Sequence, residues 1–146
     1  MPEVKKERRE SRLINEWMAE FHLGVLQWKH PRVGPYPGKE PDILKGVKRG
    51  WVDIIFKEKD TIYLVEAKMR PTAAAAGQLL EYARLFPLTP EFSEFKDLPI
   101  RMIFLTTSED EITRATCESL DVEYVVFRPP WVEQYFRELA LRQQAP

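Results

Sequence analysis

The strongest pattern of apolar positions lies in the middle of the chain, in two short segments separated by a charged gap. Residues 50–56 and 61–68 are rich in β-branched and aromatic side chains, which favour pleated strands. The gap between them is short enough for a hairpin loop. If the loop turns at Lys59-Asp60, Asp53 lies directly opposite Glu66, about 5 Å away across the hairpin.

This hairpin predicts a charged site on one face of a sheet. Side chains alternate between the faces of a strand, so Glu66 and Lys68 share a face with Ile62 and Leu64. Two facing carboxylates destabilise a hairpin unless a positive charge lies between them, and Mg²⁺ or Mn²⁺ is the simplest such charge. Lys68 could then orient an attacking water. The alternative is a solvated strand face with a Glu–Lys pair, which the apolar neighbours disfavour.

Hydrophobic periodicity elsewhere predicts helices around further strands. The elements follow the order α-β-β-β-α-β-α-β-α, which predicts an α/β fold with a central mixed β-sheet flanked by helices, in a single domain over residues 1–146. The predicted helices cover 4–22, a segment from an N-cap at Thr72 to Phe86, a segment that starts within 106–111 behind a hydroxyl cap, and a last helix that begins at Pro129-Pro130. The remaining strands are 23–29, 100–105 and 121–127.

Composition narrows the class of protein. The chain has 146 residues, 44% of them hydrophobic and 31% charged, with a net charge of −1, so nucleic-acid binding would need a local basic patch. No apolar run approaches the length of about 18 residues that a membrane span needs, and no signal peptide is present, so a cytoplasmic protein is expected. The lone Cys117 excludes an internal disulfide. A single asparagine among many charged residues favours a thermophile.

The hairpin carries the motif of a known family. Asp53 followed by Glu66-Ala67-Lys68 resembles the PD-(D/E)XK nuclease superfamily, and the downstream segment 78–82, Gln-Leu-Leu-Glu-Tyr, resembles the QxxxY signature of its RecB-type branch. One departure is that Asp53 follows Val52 rather than proline. A literal Pro41-Asp42 exists upstream, but it lies in a loop rich in proline and glycine. We therefore assign the first motif aspartate to Asp53.

The resemblance implies a restriction-endonuclease-like core and Mg²⁺- or Mn²⁺-dependent hydrolysis of phosphodiester bonds in DNA, in repair or recombination. It implies that Asp53, Glu66 and the Ala67 carbonyl hold the metal ion. Lys68 is then expected to position the attacking water. End cleavage and internal cleavage are equally compatible with these residues.

The resemblance also implies supporting residues on two helices. A first-helix glutamate joins the metal site in this family. Glu10 fits best because it falls near the centre of the apolar stripe of the first helix, whereas Glu20 lies at its edge and Glu16 outside it. The alternative is that Glu10 points into solvent near a frayed terminus. Gln78 and Tyr82 are expected at the rim of the site, holding Lys68 or a phosphate; alternatively Tyr82 is a core aromatic and Gln78 a surface residue.

A basic segment precedes Asp53 and predicts contacts with DNA. Residues 30–41 form a loop rich in proline and glycine. The candidate phosphate contacts in and after this loop are Arg32, Lys45, Lys48 and Arg49. Trp28 and Tyr36 lie among them, and basic residues with aromatics suit a nucleic-acid backbone and a splayed base. The alternative is a solvated surface. His22 and His30 have no partner at metal-ligand spacing and are interpreted as structural.

Two other functions remain open at this point. The same fold could serve as a non-catalytic nucleic-acid-binding or partner-binding module. An enzyme of other phosphoester chemistry is a weaker option, because the chain has no glycine-rich phosphate loop. The aromatic residues Trp131 and Tyr135 on the last helix favour a homodimer or a protein partner.

Overall fold

A computed structural model describes the backbone of residues 2–144 and the side chains of residues 9–144. The helices in this part are α1 (Pro2–Phe21), α2 (Ala74–Leu85), α3 (Glu111–Ser119) and α4 (Trp131–Gln144). The strands are β1 (Leu26–Lys29), β2 (Arg32–Val33), β3 (Gly50–Trp51), β4 (Ile54–Glu58), β5 (Thr61–Ala67), β6 (Ile100–Thr106) and β7 (Val122–Val126). Short 3₁₀ turns occur at Asp42–Leu44, Phe86–Leu88 and Pro90–Phe95.

The principal sheet has five strands in the order β1-β4-β5-β6-β7. The β1–β4 and β4–β5 pairs are antiparallel, whereas β5–β6 and β6–β7 are parallel. Helices α2 and α3 provide the connections that parallel neighbours need. The predicted mixed sheet flanked by helices is therefore confirmed.

Strand alternation divides the core into two layers. On β5, Ile62 and Leu64 are buried against α2, whereas Val65 and Ala67 are buried against α1 and α4. Cys117 is buried in the α2 layer, where it packs with apolar side chains. Glu66 lies on the Leu64 side, so its face is the one that α2 covers.

The prediction of one continuous strand over residues 50–56 is wrong. The chain bends at Val52 and Asp53, and β3 pairs with β2 in a separate two-stranded sheet. The pairs Lys29–Ile54 and Arg32–Trp51 still belong to one antiparallel register, with His30 opposite Asp53 at the bend. His30 has a φ of 52°, and its backbone N–H donates to the Asp53 carbonyl at 3.0 Å. A left-handed residue thus allows both strands to bend together.

Several predicted boundaries need correction. The first strand begins at Leu26, because Gly24 adopts a φ of 83° in the turn after α1. Helix α2 begins at Ala74, two residues after the predicted N-cap Thr72, whose Oγ1 accepts from the Ala74 N–H at 3.4 Å. Asp110 rather than a hydroxyl residue caps α3 and accepts from the Thr113 N–H at 2.9 Å. Each element begins where its first internal hydrogen bonds form, and apolar content alone does not fix that position.

Helix α4 packs against α1 through the aromatics that favoured a partner. The Trp131 Nε1–H donates to Glu16 at 2.8 Å, and the Arg9 guanidinium lies 4.1 Å from the Tyr135 ring centroid. Both rings are half-buried within the chain, so a homodimer or protein partner stays a prediction with less support. The predicted stripe of α1 is buried except for Phe21, which is 56% exposed and contacts Phe127 edge-on. Within the described residues, no helix is both long and apolar enough to cross a membrane.

Candidate active site

The β4–β5 hairpin brings the two motif carboxylates together. Glu58 pairs with Thr61, so the loop turns at the predicted residues, and the ladder ends one residue short of Asp53. The Asp53 side chain reaches across the end of β5, where Oδ2 accepts from the Ala67 N–H at 2.8 Å. The Asp53 and Glu66 carboxyl groups lie close enough that each affects the pKa of the other. The bend before β4 therefore aims Asp53 at Glu66.

Burial and mutual repulsion set the charge of this pair. Glu66 is only 5% exposed, and burial together with the neighbouring Asp53 charge raises the pKa of Glu66 to about 9. Burial also raises the pKa of Asp53, although the Ala67 N–H favours its ionised form. Among the described residues, no donor reaches Glu66 Oε2. Without a cation, the two carboxyl groups therefore share a proton at neutral pH.

Lys68 completes the cluster on the same face. Its Nζ lies 4.0 Å from Glu66 Oε1, and its side chain is 29% exposed. Its backbone N–H donates to the Leu105 carbonyl at 3.0 Å, which continues the sheet past the end of β5. The ammonium group is thus held beside the carboxylates while remaining open to solvent.

The residues present fit a divalent cation. In the part of the chain that the structure describes, no group of three or more His, Cys, Asp or Glu side chains is arranged to hold a metal ion. Mg²⁺, however, is usually bound by one or two carboxylates, with water and substrate oxygens as the other ligands. The pair Asp53 and Glu66, with an oxygen of Glu66 that lacks a donor, meets this requirement.

Among the first-helix glutamates whose side chains the structure describes, Glu10, Glu16 and Glu20, only Glu10 lies beside the pair. Its charge contributes to the raised pKa of Glu66. Glu16 instead accepts hydrogen bonds from Trp131 and from Arg12, and Glu20 lines a separate cleft beside Arg128. The structure therefore brings Glu10, and neither of the others, to the candidate site.

Two clefts meet at Glu10 and give access to the site. The first has a volume of about 230 Å³ and contains Asp53, and the second, of about 650 Å³, contains Lys68. Glu10 lines both clefts, so Asp53 and Lys68 are reached from clefts that border the same residue. The first is lined by Glu10, Ser11, Ile14, Asn15, Lys29, His30, Asp53 and Ile54. The second is lined by Glu10, Lys68, Met69, Arg70, Pro71, Thr72, Ala74, Ala75, Gln78 and Tyr135.

The two residues of the QxxxY-like segment have different environments. Gln78 is exposed and lines the second cleft with Lys68. Tyr82 is 9% exposed and belongs to the α2 core layer, where a side chain at Gly50 would meet its ring at 2.5 Å. Burial, with the charges of Glu66 and Asp53, raises the pKa of Tyr82 to about 12. Tyr82 is therefore both a core residue and a neighbour of the carboxylates.

The predicted phosphate contacts separate into exposed and engaged side chains. Arg32, Lys45 and Lys48 are exposed. Arg49 is only 11% exposed, donates to the Gly34 carbonyl at 3.1 Å and pairs with Glu91 at 2.5 Å, so it braces the loop.

The aromatic residues expected to meet a base also separate. Trp28 packs edge-on against Phe92 in the core, with ring centroids 5.0 Å apart, and is not available to a base. Tyr36 is 46% exposed and lies beside Arg49.

Sequence reasoning gave no site role to His30 and Arg70, which line the two clefts. His22 is structural as predicted, bonded to Glu58 at 3.1 Å. His30 is instead exposed beside Asp53. Its position directly after the predicted first strand was the available signal, because that strand pairs with the one that carries Asp53.

Comparison with known proteins identifies the fold. No protein-family model and no curated protein matches the chain. EndoMS in complex with double-stranded DNA matches with a TM-score of 0.53 and 20% identity, over 83% of this chain and 45% of that one. The chain shares its fold with EndoMS. EndoMS in its apo form matches with a TM-score of 0.50 and 18% identity, over 83% of this chain and 47% of that one.

A third solved structure, of a different protein, shows the same fold. Can2 from Sulfobacillus thermosulfidooxidans, in complex with cyclic tetra-adenylate, matches with a TM-score of 0.51 and 9% identity. That match covers 91% of this chain and 32% of Can2. The chain thus spans about half the length of the EndoMS chain and a third of Can2. At these identities the likeness is one of fold.

Proposed function

We propose that this chain is a metal-dependent nuclease that hydrolyses phosphodiester bonds of DNA. The observation that carries the proposal is the buried Asp53–Glu66 pair, with a donorless oxygen on Glu66 and the Lys68 ammonium beside it. Two carboxyl groups buried together are unfavourable unless the site serves to bind a cation. The fold shared with EndoMS, a protein solved with double-stranded DNA, supports DNA as the substrate.

The pair and its two neighbours have different tasks in this proposal. Asp53, Glu66 and the Ala67 carbonyl would hold Mg²⁺ or Mn²⁺. When bound, such an ion polarises a phosphoryl oxygen and lowers the pKa of a bound water. The Ala67 N–H fixes the orientation of the Asp53 carboxylate through its 2.8 Å hydrogen bond. Lys68 positions the attacking water and offsets negative charge that develops on the phosphate.

Residues around the pair would bind and orient the DNA. Gln78, exposed in the cleft that contains Lys68, can donate its amide to a phosphate oxygen. Tyr82 keeps its proton at neutral pH and acts as a positioning residue, because its ring packs on Gly50 at the base of the bend. Phosphate contacts in this proposal come from Arg32, Lys45 and Lys48, while Arg49 holds their loop in place. Glu10 borders both clefts and completes the site.

Cleavage of labelled DNA with Mn²⁺ or Mg²⁺ tests the proposal. Asp53→Asn and Glu66→Gln should each lose cleavage by on the order of 10²–10³-fold or more, while the fold and DNA binding are retained. Glu123→Gln, an exposed glutamate on β7, is the matched control and should cleave like the parent. Equal cleavage by all proteins would place any nuclease activity outside this site. Bound but uncleaved DNA would favour the non-catalytic binding module instead.

A further inference from the structure

An exposed stack of three side chains lies beside the carboxylate pair. The Trp51 ring is 46% exposed, and the His30 ring lies parallel to it, with centroids 4.8 Å apart and an interplanar angle of 9°. The Arg32 guanidinium lies 4.2 Å from the Trp51 ring centroid. Because tryptophan is usually well buried, an exposed ring that contacts both a histidine ring and a guanidinium is unusual. We call this group the His30–Trp51–Arg32 stack.

The stack runs from the candidate site to a basic cavity. His30 lies opposite Asp53 in the strand register and lines the cleft that contains Asp53 and Glu10. At the other end, Arg32 and Trp51 line a cavity of about 350 Å³ together with Lys48. The carboxylates and the exposed cations are therefore connected by a row of flat groups.

The backbone holds the stack in place. His30 adopts the left-handed region, with a φ of 52°, which is uncommon for a residue other than glycine. Its N–H donates to the Asp53 carbonyl at 3.0 Å, and the Val52 N–H donates to the Pro31 carbonyl at 2.9 Å. Neither the His30 ring nor the Trp51 ring belongs to the two core layers. Core packing thus does not account for the stack, and strained backbone of this kind concentrates at functional sites.

We propose that the stack is a nucleobase platform that selects DNA with an unpaired base beside the cleaved bond. The base lies on the open face of His30 and extends the row, while Arg32 and Lys48 contact the adjoining phosphates. A π face is available only on an unstacked base, so the platform favours single-stranded or splayed DNA over intact duplex. Stacking of this kind is tolerant of base identity. The platform rests on the proposed nuclease function for its purpose, but base binding is measurable without cleavage.

Fluorescence of 2-aminopurine in EDTA tests the platform with the full chain. The probes are a single-stranded oligodeoxynucleotide with one 2-aminopurine and the same strand in a complete duplex. The parent should quench the single-stranded probe and bind it more tightly than the duplex. Trp51→Ala and His30→Ala should remove the quench and weaken single-strand binding on the order of 10-fold or more, with duplex binding unchanged. Trp51→Phe should retain most of both, since it keeps an aromatic ring.

Two further variants identify the source of any loss. Phe21→Ala removes an aromatic that is 56% exposed at the end of α1 and should leave quenching unchanged. Tyr36→Ala removes an exposed ring outside the stack. If Tyr36→Ala removes the quench and Trp51→Ala does not, the platform is overturned. Equal affinity of the parent for both probes would also overturn it.

The same experiment separates this inference from the nuclease proposal. Because EDTA removes the divalent ions, quenching does not depend on the Asp53–Glu66 pair acting on a substrate. Quenching by a parent that never cleaves would retain the platform and reject the nuclease. Cleavage by a parent that shows no quench would retain the nuclease and reject the platform.

Discussion

Replacing Glu66 with glutamine should stabilise the metal-free protein increasingly as pH rises. An unfolded glutamate loses its proton near pH 4.5, whereas Glu66 in the fold keeps it until about pH 9. Folding of the parent therefore takes up a proton throughout this window, and its free energy of unfolding falls as pH rises. Glu66→Gln removes the titrating group and with it this fall. Asp53 retains the Ala67 N–H, which favours its ionised form in both proteins.

The size of this stabilisation follows from the single proton that Glu66 takes up on folding. Each pH unit within the window changes the free energy of unfolding by about 1.4 kcal/mol. Between pH 6 and pH 8, the advantage of Glu66→Gln should grow by about 2.7 kcal/mol. For a chain of this length, this corresponds to a gain of roughly 5–10 °C in melting temperature relative to the parent.

Thermal unfolding in EDTA at pH 6, 7 and 8 measures this difference. Glu123→Gln provides the control, because it removes an exposed strand glutamate and should follow the parent at each pH. Saturating Mg²⁺ should then stabilise the parent but not Glu66→Gln, since only the parent keeps both carboxylates. A constant difference between Glu66→Gln and the parent across the three pH values would refute the shared-proton account.

Three further predictions concern individual side chains. Lys68→Ala should lose cleavage on the order of 10²–10³-fold while calorimetry still detects Mn²⁺ binding, because an ammonium group is not a metal ligand. Loss of Mn²⁺ binding in this variant would contradict the role of Lys68 in positioning water. Glu10→Gln should slow cleavage less than loss of either paired carboxylate if one ion suffices, as single-turnover rates would show. Gly50→Ala should destabilise the protein by about 1–3 kcal/mol in urea, because its Cβ would lie 2.5 Å from the Tyr82 ring. Gly77→Ala, in α2 with open space around it, should be neutral or stabilising, and equal losses would reject the packing argument.

The sequence predicted the elements whose signals are local and repeated. The two-residue turn at Lys59-Asp60 and the alternation along β5 were sufficient to place Glu66 and Lys68 on one face, and the structure has that register. Apolar periodicity likewise identified the buried face of α1. These features depend on neighbours within a strand or a helical turn, which the sequence displays directly.

The bend at Asp53 could not be read in the same way. Residues 50–56 have the composition of one uninterrupted strand, and the interruption depends on pairing with the segment around His30 and Pro31. The left-handed backbone at His30 leaves no mark in residue type. The stack on Trp51 therefore could not be predicted from the sequence, in which Trp51 has the pattern of an ordinary strand residue.

Distant partners explain the remaining differences. Arg49 appeared equivalent to its basic neighbours because its partner Glu91 lies 42 residues away. Trp28 appeared available to a base because Phe92 and Phe95, which cover it, lie beyond the next helix. The sequence correctly indicated a segment with basic and aromatic residues. Tertiary contacts determine which of these side chains remain exposed and available to DNA.

The dependence of DNA cleavage on Mn²⁺ concentration tests the central claim most directly, measured side by side with the parent and Glu66→Gln. We predict that the parent cleaves labelled DNA at a rate that rises with Mn²⁺ and saturates, with the same midpoint as Mn²⁺ binding followed by calorimetry. Glu66→Gln should bind DNA but show neither Mn²⁺ binding nor cleavage over that range. Cleavage by Glu66→Gln with the parent's rate and Mn²⁺ midpoint would contradict the assignment of the buried carboxylate pair as the catalytic metal site.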